Sequence, residues 1–186
     1  HSDDTQALQQ YMEACLNMPR NRRANVQKAI TACHQLLRFK PGDAEMEALL
    51  LELYEKTEAW GSLEYYAREF LRITPGNASI SLRLANALHE LGRNADAVVV
   101  YEPLLEQESV VAETCVGYTA ILLENNETAR AQDILDSAIR QFPEHAGLYA
   151  ARARWYLATQ KLDQMAEDVR VAASIEPESV QVCWLQ

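Results

Sequence analysis

Proline recurs in this chain on a ruler of 34 residues. Pro41, Pro75, Pro143 and Pro177 all fall on it, and Ser109 fills the remaining place. The first two marks are written out as KPGD at 40–43 and TPGN at 74–77. Proline fixes φ and lacks an N–H, while glycine tolerates φ > 0, so a Pro-Gly pair is strong turn punctuation. Two such marks could be coincidence, but four prolines on one lattice mean that the chain repeats a structural unit. A unit this short cannot close its own core, so successive units must stack and bury their apolar faces against each other.

Set on that ruler, the units run 44–77, 78–111, 112–145 and 146–179, with a less regular unit before them at about 5–43 and the start of a further helix at 180–186. Each unit carries two apolar stripes at spacings of three and four, which place each set on one helical face. They are Leu50, Leu53 and Tyr54 with Leu63, Tyr66, Ala67 and Phe70, then Leu84 and Leu88 with Ala97, Tyr101 and Leu104. Tyr118 and Leu122 with Ala131, Leu135 and Ala138 follow, and last Ala153 and Tyr156 with Met165, Val169 and Ala172. The breaks EAWGS, LGRNAD, NNET and TQKLD have the chemistry that joins antiparallel helices. Few glycines and prolines, six of each, favour helix throughout.

On these residues the chain resembles the tetratricopeptide repeat (TPR) family. The stretch LANALHELGRNADAVVVYEPLL carries that family's pattern in Leu84, Ala85, Leu88, Gly92, Ala97 and Tyr101. Small residues recur where paired helices should cross closely, at Ala85 and Ala153 on first helices and at Ala29, Ala97 and Ala131 on second helices. The resemblance covers nearly the whole chain and implies an all-α, right-handed superhelical solenoid of about five helix-turn-helix repeats, forming one domain over 1–186.

Four departures carry expectations of their own. Pro103 lies inside a second helix, opposite the Val99 carbonyl, and predicts a kink or early end near Glu102 with an irregular junction at Ser109. Arg152 stands at an apolar place of the family pattern, so its stem should pack while the guanidinium reaches water or a carboxylate such as Asp163 or Asp168. Pro19 predicts a longer loop through NMPRNRRAN. At the far end, Val180, Val182, Trp184 and Leu185 have nothing after them to cover their stripe. That predicts a longer natural chain or a surface that binds something, another copy included.

A net charge of −10 argues against a nucleic-acid or anionic-membrane footprint, and the basic run RNRR at 20–23 reads as a solvated loop. The longest uncharged run in the middle of the chain, TCVGYTAILL, is too short to span a bilayer. The opening HSDDTQALQQ lacks a signal-peptide pattern. A mature exported domain would begin the same way, so cytoplasm and bacterial periplasm both stay open. Cys15, Cys33, Cys115 and Cys183 have no metal-ligand spacing. Cys15 and Cys33 lie on consecutive helices and are a candidate disulfide for an oxidising compartment. Sequons at Asn77 and Asn126 sit in turns, and such short patterns do not settle the compartment.

No nucleophile stands beside a base, and neither a P-loop, a dinucleotide fingerprint nor an H-E-x-x-H is present. The reading is therefore not an enzyme, with no cofactor and no metal. The family resemblance puts the concave face on the first helix of each pair. That nominates Glu45, Ala48, Glu52 and Glu55, then Leu82, Asn86, His89 and Glu90, then Glu113, Val116, Ala120 and Leu123, and last Ala150, Arg154 and Leu157. A face turned only to water has little reason to carry Leu82, Val116, Ala120, Leu123 and Leu157. An apolar strip with glutamates toward one end and Arg154 toward the other suits an amphipathic helix or extended peptide. The co-chaperone carboxylate clamp is absent in this register. Asn86 matches one of its places, but Gly117, Gly147 and Ala151 occupy others.

The expectation is thus a scaffold that binds a protein or peptide partner. The alternatives are a homo-oligomerising scaffold and a regulatory module whose catalytic domain lies elsewhere in a longer protein.

Overall fold

The computed structural model describes residues 2–18, 22–107 and 111–177. The loop expected at Pro19, the junction at Ser109 and the final apolar stretch from Val180, with Cys183, lie outside the described residues. Among the described residues there are ten helices and no strand: α1 (Ser2–Asn17), α2 (Arg22–Phe39), α3 (Ala44–Lys56), α4 (Trp60–Ile73), α5 (Ala78–Glu90), α6 (Asn94–Leu105), α7 (Ala112–Glu124), α8 (Thr128–Gln141), α9 (Ala146–Ala158) and α10 (Leu162–Ile175). They fall into two compact units, His1–Ala97 and Val98–Gln186.

The helix boundaries follow from local chemistry. α3, α5, α7 and α9 are each 13 residues long and begin with alanine at 44, 78, 112 and 146. Asp43 caps α3 by accepting from the Glu45 and Met46 N–H groups, and Asn77 caps α5 by accepting from Ile80 N–H. At the other end all four helices close in the same way. Glu58, Gly92, Asn126 and Gln160 take φ of 54°, 72°, 62° and 61°. The next N–H reaches back five residues, from Ala59 to Tyr54 O, Arg93 to Leu88 O, Glu127 to Leu122 O and Lys161 to Tyr156 O. This is the Schellman closure, which satisfies carbonyls the helix would otherwise leave open.

Only Gly92 takes this left-handed conformation without a Cβ penalty. A Cβ built there meets nothing within 4 Å, so Gly92→Ala changes backbone strain alone. We expect it to cost about 1–2 kcal/mol, and Gln160→Gly at the equivalent place to gain up to about 1 kcal/mol. Denaturant midpoints of the two variants against the parent check both signs.

In the first unit the stripes close on Leu50, Leu53, Leu63, Ala67, Leu84 and Leu88, all buried. Ala29, Ala85 and Ala97 have no exposed surface at all, which is where close helix crossings leave no room for a larger side chain. Tyr66 is only half-buried, because it forms part of an aromatic clasp instead. Its ring stacks on Tyr54 at 5.6 Å and lies 4.7 Å from His34, whose Nε2 is 2.8 Å from Tyr54 Oη. The clasp joins α2, α3 and α4. Burial holds His34 below its ordinary pKa and pushes the Tyr54 phenol up to about 12.

In the second unit Tyr101, Leu104, Tyr118, Leu122, Ala131, Leu135 and Ala138 are buried, as are Ala153 and Ala172. Tyr156, Met165 and Val169, expected in the core, are half-buried. Pro103 does not end its helix near Glu102, for α6 runs on to Leu105. It still stops two residues short of the places where α4 and α8 end on the repeat ruler. Proline within the last turn forfeits one bond, to the Val99 carbonyl, on a side where Val99 is 70% exposed. Burial of Tyr101 and Leu104 on the opposite side holds that turn in place.

Arg152 does reach a carboxylate. Its Nε donates to Asp168 Oδ2 at 2.7 Å and a terminal nitrogen donates to Asp168 Oδ1 at 2.8 Å, while the other reaches Asp136 at 3.2 Å. The guanidinium also lies 5.7 Å and 5.8 Å from the ring centres of Tyr149 and Tyr156. The hydrogen bonds to Asp168 push its pKa still higher. Cys15 and Cys33, a candidate disulfide for an oxidising compartment, lie on the packed pair α1 and α2. Both thiols are buried and free, and Cys33 Sγ points at Met12 Sδ, 3.3 Å away, one turn before Cys15 on α1. Burial pushes the Cys33 thiol up to about 11, away from the reactive thiolate.

Candidate functional site

The nominated residues lie on the first helices of the pairs, and each unit arranges its own set. In the first unit α3 and α5 pack directly. Glu45, Ala48 and Glu90 are exposed, while Glu52, Glu55, Leu82, Asn86 and His89 are half-buried. The acidic face read from the sequence is largely compensated. Arg83 on α5 forms an ion pair with Glu55 on α3, both about a quarter exposed, and Lys56 pairs with Glu52. Burial holds the Glu55 carboxyl above its ordinary pKa, and the Arg83 charge offsets only part of that rise. His89 Nδ1 lies 2.9 Å from Asn94 Oδ1. Sequence reasoning misses Arg83. Its separation of 28 residues from Glu55 sets it off the repeat, a signal visible only once the register of α3 on α5 is known.

In the second unit α7 and α9 pack directly. Val116, Ala120, Leu123 and Ala150 are half-buried, Leu157 is 49% exposed, and Glu113 and Arg154 are exposed. A Cβ on Gly147 would meet Val116 Cγ2 of α7 at an ordinary 3.7 Å, but it would sit 2.9 Å from His145 Cε1, closer than side chains pack. Glu113 Oε1 lies 3.3 Å from His145 Nε2, so the start of α7 is tied to the residue that precedes α9. Among the described residues no carboxylate pairs with Arg154. This face is therefore apolar with one available cation, whereas its counterpart on α3 and α5 is polar. Nothing in either set aligns a nucleophile with a base, and among the described residues no group of three His, Cys, Asp or Glu could hold a metal ion. No described helix is long and apolar enough to cross a membrane.

No family model matches the chain by sequence, and no curated protein matches it either. Solved structures do match it. MamA from Desulfovibrio magneticus RS-1, in its 41-end form, is similar at 14% identity with a TM-score of 0.73, over 95% of this chain and 97% of that one. PilW, described as a widely conserved type IV pilus biogenesis factor, is similar at 16% identity and a TM-score of 0.73, over 94% of this chain and 76% of its own. YrrB, described as a TPR protein with an unusual peptide-binding site, shares 16% identity at a TM-score of 0.60, over 84% of this chain and 80% of its own. All three are built from TPR-type helix pairs. Helix pairs restarting every 34 residues, small buried crossings and these likenesses agree: the chain has the tetratricopeptide-repeat fold.

Proposed function

We propose that the chain is a protein-interaction scaffold without catalysis of its own, and that its first-helix faces receive a helical or extended peptide segment of a partner. The observation that carries this reading is the row Val116, Ala120, Leu123 and Leu157, apolar side chains left partly open to water on α7 and α9. Water alone gives no reason for such a row, whereas an occupant that covers it does. YrrB, a TPR protein of the same fold with a peptide-binding site, supports the reading by analogy. In the first unit Leu82, Asn86 and His89, beside the Glu55–Arg83 pair, would contribute contacts to a segment lying there.

The test is a pull-down from lysate of the source organism, with the parent chain beside Leu82→Glu/Val116→Glu. Because Val116 is half-buried, Leu157→Glu serves as a second variant at a more open position, and circular dichroism confirms that all three are folded. The expected result is a protein retained by the parent and lost by both variants, at least tenfold by band intensity. Identical retention by all three overturns the groove, and retention of the chain alone favours self-assembly.

A further inference from the structure

A second surface lies on the first helix pair, away from the residues nominated above. Leu8 on α1 and Gln35, Arg38 and Phe39 on α2 line an open cavity of about 470 Å³. Phe39 is 55% exposed, and Tyr11, three residues along α1 from Leu8, is 49% exposed. Large apolar side chains this open on neighbouring helices form a patch that water disfavours. Its positive charge is concentrated on one of the two helices. α2 carries Arg22, Arg23, Lys28 and Arg38 and no acidic residue, in a chain whose net charge is −10, while α1 carries Asp3, Asp4 and Glu13 and no basic residue. Arg23, Lys28 and Arg38 are exposed, and among the described residues no carboxylate pairs with any of them. Elsewhere among the described residues Lys40, Lys56, Arg68, Arg72, Arg83, Arg93, Arg130, Arg152 and Arg170 each have one, and the cations without one, Arg140, Arg154 and Lys161, do not gather on a single helix.

We infer that the α1–α2 pair is a docking surface for an acidic amphipathic helix of a protein partner. The apolar stripe of that helix would enter between Leu8 and Phe39, and its carboxylates would meet Arg38 and Lys28. A helix fits because α1 and α2 present two adjacent helical ridges, and the packing throughout this unit is helix laid on helix. Acidic flanks fit because desolvating Arg38, and Lys28 on the same face of α2, under a neutral helix is unfavourable, whereas carboxylates placed there gain from both. A polyanion such as nucleic acid would meet the same cations but also the repulsion of the remaining acidic surface.

The test is a phage-displayed library of 20-residue helices with a fixed apolar stripe and flanks randomised among Glu, Gln and Lys, panned on the chain. Recovered peptides are then measured by fluorescence anisotropy against the parent, Arg38→Glu and Phe39→Glu. We expect glutamate-rich flanks, binding at least tenfold weaker to Arg38→Glu, and none detectable to Phe39→Glu. Both positions are exposed, and unchanged circular dichroism verifies that the variants fold. Flanks without glutamate enrichment, binding to both variants equal to the parent's, or recovery of no helix overturns the proposal. It is also overturned if the chain's mass rises with concentration and Phe39→Glu abolishes the rise, since a second copy would then be the occupant. Binding of a labelled single-stranded oligonucleotide that Arg38→Glu removes would overturn it as well.

Discussion

Replacing Arg152 by Met should lower stability by about 3–5 kcal/mol. The reason lies in Asp168, which is 4% exposed and accepts two hydrogen bonds from the guanidinium. Methionine replaces much of the aliphatic stem, so packing between Tyr149 and Tyr156 is largely preserved. What is lost is the countercharge, and an anion left buried without one must be protonated or rehydrated, either of which costs several kcal/mol. The companion Arg152→Met/Asp168→Leu should recover most of the loss, because it removes the stranded charge together with its partner. Urea unfolding followed by circular dichroism decides the matter. A drop under about 1 kcal/mol for the single variant would mean that water solvates Asp168 in the folded state.

Leu63→Ala should cost about 2–5 kcal/mol, although it moves the chain toward the family pattern. On the repeat ruler Leu63 occupies the place held by Ala29, Ala97 and Ala131, where alanine is the family's choice. Consensus changes of that kind usually stabilise. Here the place is filled. Leu63 and its counterpart across the pair, Leu51, both have no exposed surface. In the next pair the equivalent places hold Ala97 and Ala85, which are also fully buried. The α3–α4 pair has therefore set its helices to accommodate leucines, and truncating one leaves a void that the rest cannot collapse into. Thermal and denaturant unfolding would measure the loss. A stabilised Leu63→Ala would show instead that the α3–α4 crossing is strained by its two leucines.

Much of this architecture is legible in one dimension, because its determinants are local. Turn chemistry at Pro41, Gly42, Pro75 and Gly76, helical spacing of Leu50, Leu53 and Tyr54, and alanines at close crossings are each readable within a few residues, and a constant period copies them along the chain. The closures at Glu58, Asn126 and Gln160 are less legible. Asparagine tolerates at Asn126 the left-handed conformation that glycine takes at Gly92, but Glu58 and Gln160 are held in it by backbone hydrogen bonds rather than by their own preference.

The face chemistry is legible in outline only. Glu52 and Glu55 read as part of the glutamate end of the concave face, and the fold supplies Lys56 and Arg83 to pair with them. Cys15 and Cys33 lie on adjacent helices as anticipated, yet rotation of α2 turns Cys33 toward Met12. Period and helical face depend on spacing along the chain, and spacing is written in the residues themselves. Which charge meets which, whether a thiol finds a thiol, and whether an alanine or a leucine fits a crossing depend on helix rotation and separation at the scale of single atoms. Those quantities are settled by the packing of all the side chains at once, so they emerge only when the helices are assembled.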